Sequence, residues 1–106
     1  MKPANLFNAL PKHPATEIFD DLVRSSTVRI ERIVSKGHRS PETGWYDQDE
    51  HEWVIVMQGK ATLAFDDGSV CHLSEGDYIN IPAHTKHKVS WTDPDNLTVW
   101  LAVFYT

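Results

Sequence analysis

The chain has 106 residues, with 10 Lys or Arg against 15 Asp or Glu, for a formal charge of -5. This length suits one domain with its own core, so residues 1–106 are expected to form a single unit, and 41% hydrophobic with 24% charged residues excludes a disordered chain. An acidic chain with no basic cluster argues against nucleic acid and anionic membrane as partners, and its apolar runs are far shorter than the ~20 residues a membrane helix needs.

The N-terminus lacks the charged-then-apolar layout of a secretory signal, so a cytoplasmic location is expected. Pro3, Pro11 and Pro14 make residues 1–16 an irregular arm, pinned by Leu6, Phe7 and Leu10. Residues 17–24 are ambiguous: Ile18, Phe19, Leu22 and Val23 have helical spacing, yet a strand also fits. From Val28 the pattern alternates, with Val28, Ile30, Arg32 and Val34 on one face and Arg29, Glu31 and Ile33 on the other. Residues 37–44 read as a loop. Trp53 to Gln58 is an apolar, β-branched run ending at Gly59, and Ala61 to Phe65 is expected to answer it as a hairpin.

Asp67-Gly68 marks a second tight turn before Ser69 to Leu73. A turn at Glu75-Gly76 leads to a short strand that Pro82 ends. Another strand starts near His87, and after the Asp93 to Asn96 turn a final strand runs over Leu97 to Tyr105. Many short strands spaced by turns predict an all-β sandwich or barrel over residues 28–105. Cys71 is the single cysteine, which rules out an intrachain disulfide and a Cys-built zinc site. Inside a strand it reads as a small hydrophobe, because the adjacent His72 points to the opposite face and cannot activate it.

Residues 44–91 resemble the two motifs of the cupins, G(X)5HXH(X)3-4E(X)6G and G(X)5PXG(X)2H(X)3N. Gly76, Pro82 and His87 keep the spacing of the second, with His84 in place of its glycine and Trp91 in place of its asparagine. Glu52 and Gly59 keep the closing spacing of the first. The two histidine positions before Glu52 hold Tyr46 and Gln48 under the shorter spacing, or Trp45 and Asp47 under the longer, and Gly44 is too close to be the opening glycine. The resemblance implies the double-stranded β-helix, a jelly-roll-like barrel, of small single-domain bacterial cupins. It also implies a mononuclear divalent metal held by imidazoles and a carboxylate, which suit iron, manganese, nickel or zinc.

Parity decides which residues accompany Glu52. Along an unbroken strand Tyr46, Gln48, Glu52, Val54 and Val56 share a face, while Asp47, Asp49 and His51 go to the other, and only a bulge would bring Asp47 inward. With the valines in the core, Gln48 and Glu52 line the cavity mouth, where His87 can meet them. The expected metal ligands are Gln48, Glu52 and His87, with His84 available as a fourth. Glu52 and Tyr46 are the catalytic candidates, and Arg32 and Trp91 the substrate-binding ones. An amide oxygen is a poor ligand for these metals, so the same residues can instead form a buried hydrogen-bond network in which Glu52 serves as a general acid or base.

Arg32 shares its face with Val28, Ile30 and Val34. Turned inward it would hold a carboxylate or phosphate by its fork; otherwise it pairs with an acid or reaches solvent. Trp53, Ile55 and Met57 give the outward parity of their strand an apolar face that needs a cover. A second copy would supply it, and a homodimer is the state the resemblance implies. The resemblance implies a metal-binding enzyme acting on a small molecule, by isomerase, lyase or oxygenase chemistry. The rivals are a ligand-binding or sensor barrel without chemistry, and an interaction protein that works through its outer sheet.

Overall fold

In the computed structural model, which describes residues 1–106, the chain is all strand and loop. The strands are β1 (Ile18–Arg24), β2 (Val28–Ser35), β3 (His51–Gln58), β4 (Ala61–Phe65), β5 (Val70–Leu73), β6 (Tyr78–Ile81), β7 (His87–Thr92) and β8 (Thr98–Tyr105). They build a five-stranded sheet in the order β1-β2-β8-β3-β6 and a three-stranded sheet in the order β5-β4-β7. All pairings are antiparallel. This is the expected all-β, double-layered jelly-roll barrel.

The segment left open between helix and strand is β1. It pairs with β2, and the register slips between Asp21 and Val23. That bulge breaks the two-residue alternation around Leu22, so the apolar residues fall at a spacing that mimics a helix.

The Asp67-Gly68 turn joins β4 to β5 as expected, but β3 and β4 do not form the expected hairpin. They lie in different sheets, so Gly59-Lys60 carries the chain around a corner of the barrel. Gly59 has a φ of +90°, and a Cβ there would sit 2.6 Å from the Leu97 carbonyl oxygen and 2.8 Å from Thr98 Cα. Close approach of the corner to the start of β8 is therefore what requires glycine.

The core is the space between the sheets. Ile33, Val54, Val56, Ile81, Trp100, Ala102 and Phe104 come from the larger sheet, and Ala61, Leu63 and Leu73 from the smaller. Cys71 packs against this cluster from a half-buried position, as a small hydrophobe would. Cross-strand partners settle which face of β2 looks inward: Arg29 pairs with Phe104, Glu31 with Ala102 and Ile33 with Trp100. Arg32, with Leu101 as its partner, is on the outer face.

This reverses the inward placement considered for Arg32, and the reason is the arm. Arg32 Nη1 donates to the carbonyls of Leu6 and Asn8 at 2.9 and 2.7 Å, and Nε and Nη2 donate to Asp20 Oδ2 at 3.1 and 2.8 Å. The apolar residues beside Arg32 are thus part of a second face on which the arm is held. Farther along that face Trp53 packs on Tyr78, with ring centroids 5.4 Å apart.

Candidate active site

A cavity of about 240 Å³ opens between the sheets, at the end of the barrel where β2, β3 and β7 begin. Its floor is apolar, with Ile33, Val54, Leu63, Val89 and Trp100 among the lining residues, and its polar groups are Glu17, Arg29, Glu31, Tyr46, Gln48, Glu52 and His87. An apolar pocket with a few convergent polar groups is the usual form of a small-molecule site.

Glu52 stands on β3 opposite Phe104 on one side and Ile81 on the other, two inward-facing partners that direct it into the barrel. Tyr46 reaches the same place through an isolated antiparallel bridge with His87, in which Tyr46 N–H donates to the His87 carbonyl at 2.8 Å and His87 N–H donates back at 3.2 Å. The Tyr46 ring lies 5.8 Å from the imidazole, centroid to centroid. Gln48 Nε2 donates to Glu52 Oε1 at 3.2 Å, and His87 Nε2 lies 3.3 Å from the same oxygen. Tyr46, Gln48, Glu52 and His87 therefore line one cavity, although residues 47–50 are not strand and the unbroken-strand parity does not run through them.

The pair is well shielded, with 4% of the His87 side chain and 12% of the Glu52 side chain exposed. His87 Nδ1 is 2.7 Å from the Thr85 carbonyl, which can only accept, so Nδ1 carries a proton. A neutral ring would then turn the Nε2 lone pair toward a carboxylate. Burial by itself pulls the His87 pKa down, but the Glu52 hydrogen bond, the Thr85 carbonyl and the Glu52 charge together outweigh it and hold the pKa above the usual histidine value.

Two other expected site residues lie elsewhere. Trp91 is outside the cavity and 43% exposed. The register of β7 against β4 slips between Val89 and Trp91, so the bulge around Ser90 turns Trp91 outward although His87 and Val89 point in. His84 sits at a φ of +62° in the loop before β7, with 63% of its side chain exposed. Its Nδ1 lies 2.8 Å from Asp47 Oδ1 and its Nε2 3.3 Å from Asp49 Oδ1, while its N–H donates to the Gln48 carbonyl at 2.9 Å. It buttresses the loop that carries Gln48 instead of supplying a ligand.

The donors present do not fit the expected iron, manganese, nickel or zinc. No group of three His, Cys, Asp or Glu side chains is placed to hold a metal. Glu52 and His87 bring one carboxylate and one imidazole, and Gln48 turns its NH2, not its oxygen, toward them. Reversing the amide would set its oxygen against a carboxylate. Glu52 Oε1 thus sits between the Gln48 amide and the His87 imidazole.

Among the lining residues that were not sequence candidates are Glu17, Phe19, Arg29 and Glu31. Arg29 Nε is 2.9 Å from Glu31 Oε2, but misaligned, so this buried nitrogen has no hydrogen-bond partner. The guanidinium lies over the Phe104 ring at 4.1 Å, and Nη2 is 3.3 Å from Glu50 Oε1. Burial raises the Glu31 carboxyl pKa, opposed by the Arg29 charge and reinforced by Asp21. The opposite charges two apart on β2 were the available signal for this pair. Glu17 and Phe19 carried no such signal, because the conformation of their segment was open.

The description "Cupin domain" matches residues 31–104. A crystal structure from Ralstonia eutropha JMP134, named a "putative mannose-6-phosphate isomerase", is 40% identical, with 99% of this chain and 98% of that one covered at a TM-score of 0.94. An RmlC-like cupin from Methanocaldococcus jannaschii with a double-stranded β-helix fold is 20% identical over 91% of this chain and 85% of that one, at a TM-score of 0.70. An RmlC-like cupin from Desulfovibrio desulfuricans is 18% identical over 98% and 96%, at a TM-score of 0.74. Comparison with curated proteins gives no match. The motif spacing, the two-sheet barrel and these likenesses agree, and the chain belongs to the cupin family.

Proposed function

We propose that this cupin is an isomerase of a small hydroxy-carbonyl compound, in which the Glu52–His87 pair moves a proton on the bound molecule without help from a metal. One observation carries the reading. A carboxylate and an imidazole share a contact of 3.3 Å at the polar end of a largely apolar cavity, with the imidazole held in one orientation by the Thr85 carbonyl. In such a pair one partner removes a proton while the other balances the charge, the arrangement general acid–base catalysis needs. The Tyr46 hydroxyl is the donor available to a carbonyl oxygen, and Gln48 keeps Glu52 in place.

The Ralstonia relative supports the isomerase class through its name alone. Transfer of a proton between neighbouring carbons, together with transfer of the hydroxyl proton to the carbonyl oxygen, interconverts an aldose and a ketose, so the substrate would carry a hydroxyl beside a carbonyl. The test is exchange in D2O. Aldoses and ketoses incubated with the protein should take up deuterium at the carbon beside the carbonyl, EDTA should leave the rate unchanged, and Glu52→Gln and His87→Asn should abolish it. Binding of such compounds without any exchange would instead favour a barrel that holds a ligand and does no chemistry.

A further inference from the structure

The acidic groups of the cavity are not equivalent. Glu31 faces Arg29, and Glu52 faces His87, but no ion pair of the chain includes Glu17. Glu17 is nevertheless fixed. Ser35 donates its hydroxyl proton to Glu17 Oε2, and Trp100 Nε1–H donates to Ser35 Oγ at 3.3 Å. An indole N–H can only donate and a carboxylate can only accept, so the direction of this relay is settled. Ser35 is wholly buried and Trp100 is 3% exposed, which makes the relay a built feature of the fold.

We infer that Glu17 is the ligand-anchoring, specificity-determining residue of the cavity, taking a hydroxyl or ammonium donor of the ligand and excluding phosphomonoesters. The relay occupies one oxygen of Glu17 and leaves the other able to accept a donor from the cavity that Glu17 lines. Phe19, Ile33 and Trp100 line the same cavity and offer apolar surface to the body of the ligand. A phosphate dianion would enter among three carboxylates, Glu17, Glu31 and Glu52, whose only cationic companions in the lining are Arg29 and His87. Arg29 lies within ion-pair distance of Glu31 and Glu50, which offset its charge although its Nε makes no hydrogen bond, and His87 lies beside Glu52. Repulsion between like charges that are partly withdrawn from water is strong, so the phosphorylated form of an otherwise acceptable compound is rejected.

The inference rests on reading the cavity as a small-molecule site and not on the reaction proposed there. It is tested with three probes that share a six-membered ring: cyclohexanol, cyclohexylamine and cyclohexyl phosphate. The readout is the Trp100 indole N–H resonance, assigned with Trp100→Phe, because that proton reports on the relay directly. Cyclohexanol or cyclohexylamine should shift it saturably, and the tighter of the two identifies hydroxyl or ammonium as the preferred donor. Cyclohexyl phosphate should bind at least about tenfold more weakly, and Glu17→Gln, which keeps the acceptor for Ser35, should weaken the amine by about tenfold and narrow the gap to the phosphate.

Tighter binding of the phosphate, an indole resonance that none of the probes moves, or unchanged affinities in Glu17→Gln would overturn the assignment. Glu52→Gln separates the two readings. Loss of deuterium exchange there, with the phosphate still the weakest of the three probes, leaves both standing. No exchange in any variant, with the preference intact, removes the reaction and keeps the ligand class.

Discussion

Arg32→Ala separates a structural arginine from a substrate-binding one. In the folded chain the guanidinium donates to two arm carbonyls and, through Nε and Nη2, to Asp20 Oδ2, with 13% of the Arg32 side chain exposed. Hydrogen bonds from a charged donor contribute about 1.5–3 kcal/mol when shielded, and less where one end meets solvent, as at Asn8. The Asp20 side chain is 41% exposed, so its ion pair adds at most about 1 kcal/mol. The sum is a loss of about 2–4 kcal/mol, set mainly by the carbonyl bonds. Urea unfolding should show it as a lower midpoint, and hydrogen exchange should quicken in residues 1–16 before it does in β3 or β8. Ligand affinity in the cavity should stay within about twofold of the parent. Unchanged stability together with lost affinity would refute the placement of Arg32 on the outer face.

Three further outcomes follow from the same geometry. Gly59→Ala should cost at least about 3 kcal/mol in chemical denaturation, since its Cβ would meet the β8 backbone, whereas Gly68→Ala, at the same φ but with nothing within 4 Å, should cost about 1 kcal/mol. Equal losses would remove the close-approach argument. The raised His87 pKa makes the folded chain hold a proton that the unfolded chain gives up as pH rises. Its contribution is fully present below the ordinary histidine value and is lost as pH rises through the higher folded value, so the Tm advantage over His87→Asn should shrink as pH is raised from the ordinary histidine value upward. An advantage that grows with pH would contradict the sign. If the homodimer forms over the outer face of β3, Ile55→Glu should halve the mass measured by light scattering, and an unaltered mass would place the contact elsewhere.

Much of the barrel was readable because strand signals are local. Alternation, β-branched runs and Gly or Pro turns marked β2 through β8 to within a few residues. Two of the errors fell where a one-residue change reverses a face. A bulge at Leu22 disguised β1 as helix-like, and a bulge at Ser90 turned Trp91 away from the cavity. The face of β2 was misjudged for a different reason: its more apolar side carries the arm, so hydrophobicity alone pointed the wrong way at Arg32. Gln48, Glu52 and His87 were legible from motif spacing and parity. Glu17 was not, because its place depends on contacts between segments distant in sequence, and Arg29 lay on the face of β2 that was misjudged.

The central claim is that Glu52 and His87 form an acid–base pair and not two corners of a metal site. Titration of the His87 ring by NMR, in the parent and in Glu52→Gln, tests it most directly. The account predicts one midpoint above the ordinary histidine value in the parent, falling in Glu52→Gln, with no change when zinc or manganese is added in equal amount. A parent midpoint at or below the ordinary value, or a titration abolished by one equivalent of metal, would contradict it.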